Sequence, residues 1–363
     1  MSGEHVPGGQ TLVGAATLHR HCQALLEALG VPPADADLVA ETLVEADLRG
    51  VHSHGANLIA LYVQRIRAGH LRPVTRVTTV EDRGSTVLLD GGLGLGQVAG
   101  VAAIDLAVER AGDHGLAAVT VRELTHLGAL AFYSERAARQ GTIAIVVQNG
   151  PAFVPPFGGL TGIFSTNPFS YALPAATHPP VVFDIATTAV AGNKILLAKK
   201  RGDEQIPEGW ATDRRGRPTT STKEASIDHL QWFGGHKGYG IAFLVEVLAG
   251  VLADSSFGRT ERTESPVHGR DRVAKGACFL VIDPAAVPRG ESFPERLDRL
   301  IDDVGRAEPA DGVARVLVPG ELEHELRATR LAEGIPLAAA TRQELSRFAA
   351  ELGVAPLEAE ESR

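Results

Sequence analysis

The run RGVHSHGANL, residues 49–58, crowds a guanidinium, a hydroxyl and two imidazoles into one segment. An imidazole exchanges a proton near neutral pH, so His54 is the first candidate for acid–base work, with neighbouring Ser53 to orient the ring. Arg49 can hold a carboxylate through two parallel hydrogen bonds. The ordinary alternative is a set of polar residues closing a helix, with Gly50 and Gly55 as punctuation. His52 and His54 also form an HxH pair. A catalytic metal needs a third protein ligand, for which His126 is the obvious donor, and on extended backbone the two imidazoles point to opposite faces, so no metal is assigned.

Other reactive groups follow at intervals. His126 lies in VRELTHLGALAFYSERA, residues 121–137, at a strand-to-helix turn where backbone N–H groups can meet an anion; capping the helix is the plainer alternative. Asp184 ends the apolar run VVFD and opens a segment of small and hydroxyl residues, where a carboxylate can fix a histidine tautomer or a ribose hydroxyl. Lys237 stands among the glycines of GGHKGYG, open to a phosphate, a carboxylate or a carboxamide, or simply a surface lysine on a turn. GGLGLGQVAG, residues 91–100, has glycines at 94, 96 and 100. That spacing misses GxGxxG, and no acid ends a strand about twenty residues on, so a structural turn is expected.

Positioning these groups requires two kinds of layer. Over residues 17–68 apolar residues recur at three and four, which predicts consecutive amphipathic helices, with Asp35 as a cap for the second. Strands are expected at 77–80, 86–90, 117–121, 142–148, 171–174, 181–184 and 277–283, with a helix at 97–112. Residues 203–226 read as a long surface loop, 239–252 as a helix buried between layers, and 254–275 as a polar stretch. Terminal helices are expected at 294–307 and 336–352, with a frayed tail at 358–363.

The totals narrow the class. A chain of 363 residues, 44% hydrophobic, can bury one large core or two moderate ones, and its length favours two domains. A formal net charge of -9 argues against general affinity for nucleic acid or anionic membranes. Cys22 and Cys278, the only two cysteines, form no CxxC, which fits reduced thiols and a cytoplasmic setting. No apolar run is long enough to span a bilayer and no secretory leader is read, so neither secretion nor membrane insertion is expected.

The order of ADLRGVHSHG, VRELTHLGALAFYSERAARQG, QNGPAFVPPFGG, STNPFSYALP, VVFDIATT, IPEGWATDRRGRPTT and GGHKGYGIAFLVEVLAG resembles the type 2 malate/L-lactate dehydrogenase family over residues 46–283. That family includes ureidoglycolate and sulfolactate dehydrogenases, diketogulonate reductases and cyclic imine (piperideine-2-carboxylate) reductases. The resemblance implies an α/β (α+β), non-Rossmann fold. A helical domain would form from both chain ends, 1–75 and 284–363, around a mixed-sheet cofactor domain at 76–283, with the active site between them and a homodimer as the assembly. It implies NAD or NADP as cofactor and a small-molecule substrate, a 2-hydroxy or 2-oxo acid. Ser53 and His54 with Asp184 would relay the proton, His126 would lie beside the substrate, and Arg49 would hold its carboxylate. Asn149, Thr166, Asn167, Ala186 and Thr187 would line the cofactor, with Lys237 near its phosphate or carboxamide.

The chain departs from the family pattern at Leu58, where an arginine is usual, at Trp232 and Phe233 before the glycine turn, and at Ala277 in a strand usually written GHFF. These changes point to a substrate other than plain malate or lactate, larger or cyclic. A cyclic imine is the alternative substrate, and a catalytically silent dimeric scaffold the alternative of another class.

Overall fold

The computed structural model describes residues 11–259, 274–287 and 290–358; most of the polar stretch and of the tail expected above lies outside the described residues. Strand β1 (Thr11–Val13) leads into helices α1 (Ala15–Ala28), α2 (Pro33–Leu48) and α3 (Ile59–Arg67). Leu18, Cys22, Leu25 and Leu26 form the buried face of α1, the i, i+4, i+7 spacing of an amphipathic helix. Helix α2 starts at Pro33, whose fixed φ suits the first helical position, so Asp35 sits in the first turn and makes no capping bond, contrary to the expected cap.

The middle of the chain runs β2 (Thr78–Asp82), β3 (Thr86–Asp90), α4 (Gly96–His114), β4 (Leu116–Leu124), α5 (Ala131–Ala138), β5 (Ile143–Gln148), β6 (Phe169–Leu173) and β7 (Val181–Ile185). Helix α6 (Gly192–Arg201), the short hairpin β8 (Ala211–Thr212) and β9 (Pro218–Thr219), helix α7 (His236–Glu246) and strand β10 (Lys275–Ile282) follow. Helices α8 (Phe293–Gly305) and α9 (Glu321–Glu333), strand β11 (Ile335–Leu337) and helix α10 (Ala339–Leu352) come last.

Seven strands form one mixed sheet in the order β2-β3-β4-β10-β5-β6-β7. Only β3 and β4, joined through α4, run parallel; the other pairs are antiparallel. Strand β10 is central and covered on both faces, which is why KGACFLVI reads as a nearly continuous apolar run. One core lies between this sheet and α4 and α5, gathering Val119, Val121, Ala277, Phe279 and Tyr133. A second packs residues of α1, α2 and α3 with Ile335, Leu337, Leu345 and Phe348 from the far end of the chain, and β1 pairs with β11.

Three expectations need correction. The segment read as buried on all sides turns one face to solvent: Phe243, Leu244, Val251 and Leu252 are about half exposed, because only the opposite side of α7 packs on the sheet. The loop read at 203–226 contains the β8–β9 hairpin. Helices α6 and α9 were not foreseen; α9 has no fully buried residue, so it carries little hydrophobic periodicity. Among the described residues no helix is long and apolar enough to cross a membrane.

Candidate active site

The turn after α2 is built by a residue that sequence reading passed over. Gly50, at φ +81, ends the helix, and residues 52–54 form a single tight turn. Asp47, 2% exposed, reaches back to it: one carboxylate oxygen lies 2.8 Å from His52 Nδ1, and the other accepts the Ala56 N–H at 2.7 Å. A Cβ on Gly55 would sit 2.2 Å from that carboxylate, so the turn closes only over glycine. Arg330 of α9 donates to the Asp47 carbonyl, tying the far end of the chain to the same turn. An acid five residues before His52 at a helix end was the available signal.

His52 is thereby turned to Asp47, while His54 Nδ1 lies 2.9 Å from Ser53 Oγ. Among the described residues no three His, Cys, Asp or Glu side chains stand where they could share a metal. The His54 ring instead stacks on His126, centroids 5.3 Å apart and planes at 21°. His126 is held by its turn: its Nδ1 accepts the Gly128 N–H at 3.2 Å, and Gln148 donates to the Thr125 carbonyl at 2.9 Å while accepting the Leu127 N–H at 3.2 Å. A Cβ on Gly96 would lie 2.4 Å from the His126 carbonyl oxygen. The glycine run at 91–100 therefore packs α4 onto this turn, as a structural turn should.

Both imidazoles are neutral at neutral pH. Burial, then the Lys275 ammonium, holds His54 down to about 4. Burial first, then Lys275, His54 and Arg65, hold His126 well below the usual histidine value. A neutral His54 with Nδ1 directed at Ser53 keeps Nε2 for a substrate, which suits a base in alcohol oxidation and, once protonated, an acid in carbonyl reduction. Lys275, 8% exposed, was absent from the sequence-based set.

Asp184 and Arg49 stand behind this pair. The Asp184 carboxylate accepts the Ala131 N–H at 2.7 Å at the start of α5, and no hydrogen bond joins it to His54 among the described residues. The residue is half-buried, but its carboxyl is the enclosed part. Burial pushes it up to about 6, against the pull of the Ala131 and Leu130 N–H groups and of Arg49. Arg49 itself donates to Glu45 at 2.9 Å and to Glu135, so its guanidinium is matched by the chain's own carboxylates.

The raised carboxyl predicts a pH effect. The folded state holds the Asp184 proton more tightly than the unfolded state, so its contribution to stability is complete below the ordinary aspartate value and is lost as pH rises through about 6. Asp184→Asn is expected to gain on wild type by roughly 1.4 kcal/mol between about pH 5 and pH 8, from the one pH unit that separates pH 5 from the folded value. Urea denaturation at both pH values checks this; a stability difference that does not change with pH would remove the effect.

The expected cofactor-lining residues form a network of their own. Asn149 accepts the Gly276 N–H at 2.9 Å and donates to the Ser256 carbonyl at 2.7 Å and to Glu246 at 3.3 Å. Asn167, at φ +38, donates to Glu246 at 2.7 Å and to the Ala242 carbonyl at 2.9 Å. Thr187 Oγ1 donates to the Thr166 carbonyl at 2.8 Å. These side chains knit three loops to α7 around Glu246, a buried acid the sequence reading missed, while Thr166 and Ala186 are half-buried. The Phe233 N–H donates to the Thr187 carbonyl, which brings the turn carrying exposed Lys237 alongside. Gly234 and Gly235, both at positive φ, open that turn just before α7. Glycine backbone, the first N–H groups of a helix and a lysine form a donor set that suits a dinucleotide's phosphates.

The departures in sequence fall elsewhere than expected. Trp232 is 4% exposed; its indole N–H donates to the Pro155 carbonyl at 3.0 Å and its ring packs edge-on against Phe164. It supports the loop instead of lining a substrate space, because a buried indole needs both apolar cover and an acceptor. Leu58 packs against the helical core and Ala277 lies in the core under α4.

The comparisons with known proteins extend over nearly the whole chain. Residues 13–346 match the model of the family described as malate/L-lactate dehydrogenase. L-sulfolactate dehydrogenase of Methanocaldococcus jannaschii is 35% identical over 306 residues, covering 84% of this chain and 87% of that protein. The solved sulfolactate dehydrogenase from that organism superposes with a TM-score of 0.88 at 32% identity, over 96% of this chain and 100% of the other. The structure of delta1-piperideine-2-carboxylate reductase from Pseudomonas syringae pv. tomato gives a TM-score of 0.81 at 29% identity, over 93% and 99% of the two chains.

Proposed function

The chain belongs to the malate/L-lactate dehydrogenase family, and on that premise we propose that it is an NAD(P)-dependent oxidoreductase acting at C2 of a 2-hydroxy or 2-oxo acid other than plain malate or lactate. The observation that carries this reading is the stacked, neutral His54–His126 pair, held by Ser53 and by the turn at Gly128. The nicotinamide, when bound, supplies or accepts the hydride. His54 gives or takes the proton on the substrate oxygen, and Ser53 fixes the ring that does so. His126 stacks beside it and faces the same substrate. Asp184 acts one step removed, by holding the first N–H groups of α5.

Thr166, Ala186 and the backbone at Asn149, Asn167 and Thr187 would hold the cofactor, with Lys237 near its phosphate or carboxamide. Lys237→Ala is expected to raise the cofactor constant about tenfold with little change in kcat, the pattern of lost binding without lost transition-state contact; unchanged cofactor titration would remove Lys237 from the set. We take residues 1–75 with 284–363 as one helical unit and 76–283 as the sheet unit, with the site between. The half-exposed apolar side of α7 supports a homodimer, in a cytoplasmic setting that suits the buried thiols Cys22 and Cys278. Light scattering at the mass of one 38.2 kDa chain would remove the dimer.

A cyclic imine substrate uses the same groups, with the His54 proton going to nitrogen, and the likeness to the piperideine-2-carboxylate reductase favours including it. The test is a panel of 2-oxo acids and cyclic imines assayed with NADH and NADPH. Oxidation of the nicotinamide by at least one substrate is expected; no turnover across the panel, with no nicotinamide binding by fluorescence titration, would leave the silent scaffold.

A further inference from the structure

Lys275 opens β10 at the end of the sheet nearest the histidine pair. The alternation of β10 sends Ala277, Phe279 and Val281 into the core under α4 and α5, and Cys278 toward Val245 and Ala249 on the other side. Gly276 belongs with Cys278, since a side chain there would strike the Ala249 carbonyl. Lys275 therefore belongs with Ala277, where the apolar packing of that face ends and the turn of His126 begins. The pairing with β4 shifts register between Lys275 and Ala277, and Glu123 opposite has φ +46. Such a bulge re-aims the side chains at the end of a ladder, a device common beside active sites.

The charged side chains that act on His54, His126 and Lys275 are cations, Lys275 and Arg65. Among the described residues no carboxylate pairs with Lys275, and burial, then Arg65, holds its ammonium down to about 7. A buried cation without a counter-ion is costly, so a site that retains one is short of an anion. Arg49, by contrast, already has Glu45 and Glu135.

We propose that Lys275 is the cation that takes the substrate's carboxylate, seating a 2-oxo acid with its carbonyl against the His54–His126 pair. The bound carboxylate completes the missing ion pair. It also offsets the Lys275 charge that adds to burial in keeping His54 neutral, so the acid that carbonyl reduction requires is more favoured when substrate is in place. An ester or amide of the same acid lacks that charge and is discriminated against at the same point.

This assignment rests on the 2-oxo acid reading above, and the two fail separately. Oxalate binding is measured by calorimetry on the full chain with saturating NAD or NADP, for wild type, Lys275→Met and Lys275→Arg. Wild type is expected to bind; Lys275→Met weakens binding on the order of thirtyfold, the scale of one lost charge-assisted hydrogen bond, and Lys275→Arg stays within about fivefold. The unfolding midpoint of Lys275→Met should be no lower than wild type, because a buried cation has been removed. In kinetics, the preference for 2-oxo-4-phenylbutanoate over its methyl ester should collapse in Lys275→Met and return in Lys275→Arg.

No oxalate binding by wild type, equal binding by Lys275→Met, a preserved acid-over-ester ratio, or a destabilised Lys275→Met that arginine does not rescue overturns the assignment. Lysine-dependent oxalate binding in a protein that turns over nothing on the panel overturns the oxidoreductase reading and leaves the anion site.

Discussion

His54→Ala is expected to lower kcat by about two to four orders of magnitude, the usual scale for losing a general acid or base, while the far-ultraviolet circular dichroism and unfolding midpoint stay near wild type. The second half of that expectation follows from the surroundings. The imidazole is enclosed, but among the described residues its one hydrogen-bonding partner is the adjacent Ser53 hydroxyl, so truncation strands no other charged or polar group than that hydroxyl. The turn that carries it is held by Asp47, Gly55 and Arg330, none of which depends on the His54 ring. Nicotinamide titration of the variant should match wild type, which separates lost chemistry from lost binding. Turnover within a factor of about three of wild type would remove His54 from the proton transfer.

Gly276→Ala should be among the most damaging single-atom additions in the chain. Its Cβ would lie 1.7 Å from the Ala249 carbonyl oxygen and 2.8 Å from the Ser255 side chain. Neither neighbour is the free end of a flexible side chain: Ala249 lies in the π-helical turn that continues α7, and β10 is clamped by the Asn149 bond to the Gly276 N–H. Strand and helix must separate, and overpacking of this kind costs about 3 kcal/mol or more. A urea midpoint shifted by that amount, with weakened cofactor binding because Asn149 and Glu246 move together, is the expected result. A midpoint equal to wild type would mean that α7 accommodates the methyl group without cost.

The comparison between sequence and structure turns on which forces are local. The amphipathic spacing of α1, the alternation and flanking turns of β3 and β7, and the glycine run before α4 each report a neighbour close along the chain, and each lies within a few residues of its expected place. The histidine-bearing turn was legible too, since glycines and polar residues mark a helix end. Trp232 misled because a bulky apolar residue near a site can line it or hold up its wall, and only the Pro155 carbonyl above the indole N–H decides.

The order of reactive motifs was enough to point to the family and to single out His54 as the candidate for proton transfer. Which polar group partners which reactive side chain was decided by the folded structure. Asp47 took His52, Ser53 took His54, and Asp184 went to the start of α5. Glu45 and Glu135 closed around Arg49, and a lysine from the far end of the central strand arrived beside the pair instead. For Glu135, Asp184 and Lys275 the physical reason is that charge pairing depends on distance through space and on burial, which arise only when segments far apart in sequence become neighbours, as β4 and β10 do here; the Asp47, Ser53 and Glu45 contacts are local but depend on how the turn after α2 closes.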